Sequence, residues 1–490
     1  MKSWRSSLIA SWPRRIGVAL VVFVLAMLAS TLWLRSLPAA TMQSLSDGAF
    51  IMRWIGLPSL LALASLALAT ACHTTRSTQA TVATPAVPSG PFKVQVVGVQ
   101  WLNPLIRRDY PTEWQLLWTL GLTKPNKNDE KVRDKPGKFT TIQPISAIIV
   151  NDTGKVNIPR FFGGYLADTI RPIGRGYARF GRYFYTVQPD SRSQWRELHG
   201  IHVQFALPAV PELPVNEAVE IVREAMDDEF EFYNPNLSAA NIPADVQVTT
   251  GGASAGFHSL AGAMDYLQAH PDKTAWVMNW DAPDFPKYKQ ISENCTLLIL
   301  AGPQFDTQRE PLAWIGRPAF QSEQAFTAKA GQSRIAQAWQ AALHSASEQA
   351  AISPEQIGYV IHDAGHGDDI HSKRLGLLGQ TLTLSLPELD FSKQTFNTAK
   401  LLGDMRAGSA VTNLALAIAW SHQQGKPVLV AGTTEPDRAT AVVVTPPAKP
   451  RLQDPSRDWF RARGEGYTYL PWWGLRKDLD WSKYQQGYSQ

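Results

Sequence analysis

The sequence predicts a mixed α/β region carried behind an N-terminal pair of transmembrane helices. Three observations predict it: two uncharged apolar runs near the start, a regular alternation of strand-like and helix-like periodicity from Pro208 onward, and a composition able to fill a large core. Of the 490 residues 44% are hydrophobic and 18% are charged, which excludes disorder for most of the chain. Its 47 Lys and Arg against 42 Asp and Glu leave a net charge of +5. Over this length that is mild, and it does not point to nucleic acid. Two cysteines, Cys72 and Cys295, exclude a disulfide scaffold and a four-cysteine metal site, and they suit a reducing compartment. The 17 tryptophans are enough for buried anchors or for a partner-binding surface.

Residues 16–34 (IGVALVVFVLAMLASTLWL) contain no charge and are as long as the ~20 residues needed to cross a ~30 Å hydrocarbon layer. A second uncharged run covers residues 54–71, with Pro58 in its first turn, where a missing N–H does least harm. Together they read as a membrane anchor over residues 1–72. Lys2, Arg5, Arg14 and Arg15 before the first run, with Arg76 after the second, place the N-terminus and the C-terminal region in the cytoplasm, at the inner membrane. The competing readings are a signal peptide cleaved near Ala40, which makes the soluble region periplasmic, and a lipidated Cys72.

Residues 73–91 have the Thr, Ser, Ala and Pro composition of a linker. Residues 92–207 form the N-terminal part of the soluble α/β region, opening on an alternating strand, KVQVVGVQWL, and a helix over residues 110–122. Residues 124–138 read as an exposed charged loop, and the basic aromatic stretch 171–185 as a solvated edge over the core in preference to a phosphate site. Residues 208–446 carry the regular pattern: helix 215–226, strand ADVQVTT, helix 256–270, strands TAWVMNWD and CTLLILAG, helix 333–349, strand IGYVIHD, helix SAVTNLALAIAWSHQQ, and closing strands KPVLVAGT and ATAVVVTP. Alternation of this kind implies a sheet covered on both faces.

Two segments could carry chemistry. Gly252 to Gly256 matches G-x-S-x-G, a strand-to-helix elbow that exposes a serine nucleophile, here Ser254. Its triad partners would come from Asp363, Asp368 or Asp369 and from His366, His371 or His422. The plainer reading is a turn of small residues that lets backbones pack. The stretch His362 to His371 holds three His and three Asp, but its glycines break any helical ligand spacing. A polar loop at a strand end is therefore favoured over a metal site, and no metal or cofactor is expected.

The turn Ala253-Ser254-Ala255-Gly256-Phe257, the strand in ISENCTLLILAG, the segment SPEQIGYVIHDAGHGDDIHSKRLGLLG and the helix in LLGDMRAGSAVTNLALAIAW resemble, in that order, the catalytic segments of the thiolase and ketosynthase superfamily. The resemblance implies a layered thiolase-like fold of two βαβ halves. It also implies a lost reaction: Ala253 stands at the nucleophilic cysteine, Asp363 at the first histidine (a small gap would bring in His366), and Asp404 at the second. A thiolate and two imidazoles are what that chemistry needs. Over nearly the whole chain, the apolar N-terminal pair, VQVVGVQWLNPLIRRDYPTEWQLLWTLGL and GDMRAGSAVTNLALAIAW resemble the type VI secretion lipase-adaptor family of Gram-negative bacteria. That resemblance implies a pseudoenzyme that binds a lipase-type effector and helps load it onto the spike protein of the secretion tail, with a homodimer possible.

Residues 447–490 abandon the α/β rhythm. Trp459, Phe460, Tyr467, Tyr469, Trp472, Trp473 and Trp481 alternate there with Arg and Lys, a composition of binding hot spots. Folding back onto the protein's own core is the equal alternative, and stacking on single-stranded nucleic acid a distant third. The rivals to the adaptor are a serine hydrolase using Ser254 and an acyl-CoA-binding thiolase-like protein.

Overall fold

The computed structural model describes residues 90–102, 112–122, 158–179, 201–230, 244–281, 294–307 and 310–450, with isolated positions elsewhere. The chain divides into two units, Met1–Ser89 and Gly90–Gln490. In the first, positions 23, 26–28, 30–32 and 59 are helical, and the Thr31 hydroxyl donates to the carbonyls of Met27 and Leu28 at 2.7 and 2.9 Å. The rest of the expected hairpin lies outside the described residues. Among the described residues no helix is long and apolar enough to cross a membrane.

The second unit is built on a mixed sheet whose strands run β3-β2-β4-β5-β1-β6-β11-β10-β8-β9, with β7 also on β11. In chain order these are β1 (Lys93–Leu102), β2 (His202–Leu207), β3 (Asp245–Thr250), β4 (Thr274–Asp281), β5 (Asn294–Ala301), β6 (Ala313–Gly316), β7 (Ala319–Ser322), β8 (Tyr359–His362), β9 (Thr395–Asn397), β10 (Val428–Gly432) and β11 (Arg438–Thr445). The order conceals a repeat. In the first half, β2 runs parallel to β3 and β4, and β5 runs antiparallel to β4 and to β1. In the second, β8 runs parallel to β9 and β10, and β11 runs antiparallel to β10 and to the split first strand β6 and β7. Both halves therefore place their strands third, second, fourth, fifth, first.

The halves meet at β1, which pairs with β5 on one side and β6 on the other. A bulge between Val96 and Gly98 inserts one residue, and one residue reverses which face a side chain takes. Accordingly Val94, Val96, Val99 and Trp101 all reach one core cluster while Val97 and Leu102 reach another.

Eight helices among the described residues cover the sheet: α1 (Thr112–Thr119), α2 (Ile158–Arg179), α3 (Val215–Phe230), α4 (Ala255–Ala269), α5 (Arg334–Gln349), α6 (Asp369–Ser385), α7 (Thr398–Leu402) and α8 (Ser409–Gln424). Helices α2 and α3 cover one face of the first half through Phe162, Leu166, Ile170, Val222 and Met226. Helices α5 and α6 cover one face of the second half through Trp339, Leu343, Leu378 and Leu382. Between the halves lie α4 and α8. Every residue of α8 from Ser409 to Gln423 is buried, its central run LALAIAW being apolar on all sides, and it packs on strands of both halves. It stops at Gly425, whose φ of 68° is a left-handed cap that only glycine adopts without penalty.

One expectation changes. The stretch 171–185 is not an edge in its first part: residues up to Arg179 finish α2, and Arg171 pairs with Glu229 at 2.9 Å and Asp168 at 3.4 Å. Glycines and a proline within residues 158–179 hid the helix, while its buried residues recur every three to four positions.

Candidate functional site

The strand ends of both halves converge where α4 and α8 begin. Strand β3 leads through Gly251 and Gly252 into α4, and β9 leads through α7 and residues 403–408 into α8. The two helix starts touch at Gly256: a Cβ there would lie 2.8 Å from Ala410 Cβ and 2.9 Å from Val411 Cγ2. A crevice at the carboxyl ends of strands is where α/β sheets bind ligands, so the chemistry of this end decides what the fold can do.

Ala253 is buried and Ser254 is the residue before the first turn of α4. Residues 252–256 do form a strand-to-helix turn, but Ser254 has relaxed right-handed helical backbone (φ −83°, ψ −13°) in place of the strained elbow of a nucleophile, and its hydroxyl donates to the Glu435 carboxylate. None of the histidines considered as its base has that role in the described contacts. His371 pairs with Asp368 at 2.7 Å in the first turn of α6. His422 lies at the opposite end of α8, its Nδ1 2.7 Å from the Leu312 carbonyl. His366 is exposed, next to Gly365 and Gly367. Nor is a thiolate at hand among the described residues: Cys295 is fully buried in β5, and burial pushes its thiol up to about 12.

Asp363 follows β8 and is buried. Its Oδ1 accepts the Thr433 backbone N–H at 2.8 Å and the Thr433 hydroxyl at 2.7 Å, and its Oδ2 has no partner among the described residues. Burial raises its carboxyl above the usual range, against the opposing pull of the Thr433 hydrogen bonds and of Arg374. The preceding His362 is held neutral by burial, its imidazole lowered to about 4. Thr433 begins the loop that carries Glu435, so Asp363 and Ser254 hold one loop from two sides. Arg374 Nη2 donates to the Thr434 carbonyl at 3.2 Å, and Arg438 pairs with Glu435 at 3.6 Å.

Asp404 is exposed and accepts the Arg406 N–H at 2.9 Å. Arg406 has φ 41°, a left-handed backbone that costs a non-glycine residue about 1–3 kcal/mol. What holds it is Asp281 at the end of β4. This fully buried carboxylate meets Arg406 Nη2 at 3.2 Å and accepts the Ala407 N–H at 2.9 Å. Around it Asn279 Nδ2 donates to the Gly408 carbonyl, Asn279 Oδ1 accepts the Thr296 N–H at 3.1 Å, and Thr412 bridges Thr296 and Asn294 at 2.9 and 3.1 Å. A buried polar network thus fastens the start of α8 to the first half.

Sequence reasoning found Ala253, Ser254, Asp363 and Asp404, and the structure brings them to this one end. It missed Glu435 and the network around Asp281. The polar residues closing TAWVMNWD, buried in a strand, were the available signal for the latter. For Glu435, in an ordinary TTEPD loop, there was none. Among the described residues no group of three or more His, Cys, Asp or Glu is placed to hold a metal ion. The aromatic candidates Trp459, Phe460, Tyr469, Trp472, Trp473 and Trp481 lie outside the described residues.

Chemically, the convergent end offers the Asp363 and Asp404 carboxyls, a serine tied to a glutamate and an arginine clamped by Asp281, while Arg406 Nε and the Asn413 amide have no hydrogen-bond partner among the described residues. Residues 312–446 match the family model described as Type VI lipase adapter protein Tla3, C-terminal. The matched segment runs from just before β6 to the end of β11, so it is the second half of the repeat and contains Asp363, Asp404 and Glu435. No curated protein matches the chain. Among solved structures the chain is similar to the oxazolomycin ketosynthase domain OzmH KS8 of Streptomyces albus JA3453 (12% identity, TM-score 0.45, 76% of this chain and 100% of that one). It is also similar to the ketosynthase from module 6 of the bacillaene synthase of Bacillus subtilis 168 (12%, TM-score 0.47, 73% and 71%), and to the ishigamide ketosynthase/chain length factor (13%, TM-score 0.44, 72% and 99%).

Proposed function

We propose that this chain is a non-catalytic adaptor that binds a lipase-type effector and helps load it onto the spike protein of a type VI secretion apparatus. The observation that carries this reading is the match of residues 312–446 to the lipase adapter family. The convergent strand ends agree with it. Where acyl transfer needs a thiolate and two imidazoles, this chain has Ala253, Asp363 and Asp404 on a thiolase-like framework of two repeated halves. Ser254, the alternative nucleophile, hydrogen-bonds a carboxylate in place of an imidazole.

The two apolar N-terminal runs tether the adaptor to the inner membrane, with the soluble unit on the cytoplasmic side and a homodimer as an available assembly. The aromatic residues beyond 446 supply part of the partner surface.

The test is a pull-down from detergent extract using the full-length chain and a variant ending at residue 446. Recovery of a lipase and a spike protein by the full-length chain, and their loss with the shortened one, supports both the adaptor and the role of the tail. Labelling of the wild type by a fluorophosphonate, abolished in Ser254→Ala, would replace this reading with the serine hydrolase. Heat of acyl-CoA binding in calorimetry would favour the acyl binder.

A further inference from the structure

The two halves close on each other at the convergent end through a reciprocal exchange of carboxylates. Strands β4 and β10 hold the same place in the repeat, and so do helices α4 and α8, each lying between the third and fourth strands of its half. Asp281, the last residue of β4, accepts the Ala407 N–H at 2.9 Å just before α8. Glu435, three residues beyond β10, accepts the Ser254 hydroxyl just before α4. Each half thus sends a carboxylate to the helix start of the other, the end of the helix dipole that favours negative charge.

The two clamps are not equally firm. Asp281 is fully buried and holds both Ala407 and Arg406. The Glu435 side chain is 31% exposed, and its second oxygen lies 3.6 Å from Arg438 Nε in its own half. Residues 433–437 around it are a strap fixed at both roots. Thr433 is bonded twice to buried Asp363, and the Asp437 carbonyl accepts the Glu323 N–H at 2.9 Å. These root contacts all lie within the second half. Among the described residues, the Ser254 hydroxyl makes the one hydrogen bond that ties the strap to the first half. Arg438 remains as a partner for the Glu435 carboxylate when that bond breaks, so the strap has a second state in which its charge is still paired. On either side of Ser254, Ala253 and Ala255 are buried.

We infer that residues 433–437 are a latch that Glu435 bolts onto Ser254, and that releasing the bolt uncovers the start of α4 while the Asp281 clamp keeps the two halves together. In the closed state the carboxylate bridges Ser254 and Arg438; in the open state it stays on Arg438 alone. The motion is a local opening of one strap, of the kind that leaves a buried core intact. It does not depend on the adaptor reading and adds to it a surface that the chain can show or hide.

The experiment places a thiol beside the bolt, Ala253→Cys in the full-length protein in detergent, and follows its alkylation by iodoacetamide through peptide mass spectrometry. Cys295, fully buried in β5, reports in the same sample on opening of the fold as a whole. The expected result is slow reaction at position 253 in the closed protein, about tenfold or more faster reaction when Glu435→Ala is added, and no reaction at Cys295 in either. Glu435→Gln, which keeps an acceptor for Ser254, leaves position 253 close to the slow rate. Ala255→Cys carries the same test if position 253 does not tolerate the thiol. Equal rates with and without Glu435→Ala overturn the inference. Acceleration at Cys295 alongside position 253 also overturns it, because the contact is then a structural tie between the halves and not a latch.

Discussion

Replacing Gly256 and Gly376 by alanine, one at a time, makes opposite demands on the same fold. Both glycines lie in helices, so both substitutions gain helix propensity, about 1 kcal/mol in a helix interior and less in the first turn where Gly256 sits. At Gly376 nothing lies within 4 Å of the new methyl, and the gain stands alone. At Gly256 the methyl would be 2.8 Å from Ala410 Cβ, 2.9 Å from Val411 Cγ2 and 3.3 Å from the Val411 nitrogen, against an ordinary carbon contact of about 3.5–4.0 Å. Helix α8 would have to recede by roughly 0.7 Å or more to restore that contact distance. It is buried along its length and fastened by Asp281, Asn279 and Thr412, so it cannot recede freely. Overpacking of this kind costs about 1–3 kcal/mol. The two variants should therefore differ by about 2–4 kcal/mol, Gly376→Ala above the wild type and Gly256→Ala below it. Urea and thermal melts of the full-length protein in detergent, followed by circular dichroism, measure the difference. If Gly256→Ala proves as stable as Gly376→Ala, the close approach of α4 and α8 is not present in solution, and the layered packing of the two halves is refuted.

Asp281→Ala removes the partner of Arg406, whose side chain is 41% exposed and stays solvated, and the acceptor of the buried Ala407 N–H, and leaving that N–H unsatisfied costs about 1–3 kcal/mol; no measurable loss in urea melts would contradict the clamp. His362 has a folded pKa depressed to about 4 from an unfolded value of about 6.5, so its contribution is present above pH 6.5 and is lost as the pH falls towards 4. At most about 3 kcal/mol is at stake, and His362→Phe should flatten the stability profile in that window. Asp363 has a folded pKa raised by burial, so the stability it contributes is present below its unfolded value and is lost as the pH rises through the folded one. Asp363→Asn keeps an oxygen for Thr433, and its melts should lose that dependence and gain on the wild type as the pH rises. Ser254→Ala should leave fluorophosphonate labelling unchanged at background and cost about 1 kcal/mol in a melt, the usual worth of a hydrogen bond; Glu435→Gln, which keeps an acceptor, should cost less.

Much of the secondary structure was legible in the chain. Buried strands such as TAWVMNWD and helices such as SAVTNLALAIAWSHQQ announce themselves through local periodicity, and Ser333 marks the start of α5 by capping the Ala336 N–H at 3.2 Å. Helix α6 was missed because the His, Asp and Gly cluster before it reads as a loop, although Asp368 caps its first turn through the His371 N–H at 2.9 Å.

What the sequence by itself determined was local: which segments are strands and helices, and which residue types stand at Ala253, Ser254, Asp363 and Asp404. Only the tertiary structure decided the strand order repeated in both halves, because pairing β1 with β5 joins residues about two hundred positions apart and no local pattern encodes a partner at that distance. It also decided that Ser254 faces Glu435 and that Asp281 reaches Arg406. Those contacts exist because α4 and α8 are pressed together between the two halves, and it is packing, not periodicity, that chooses which polar side chains are left to satisfy one another.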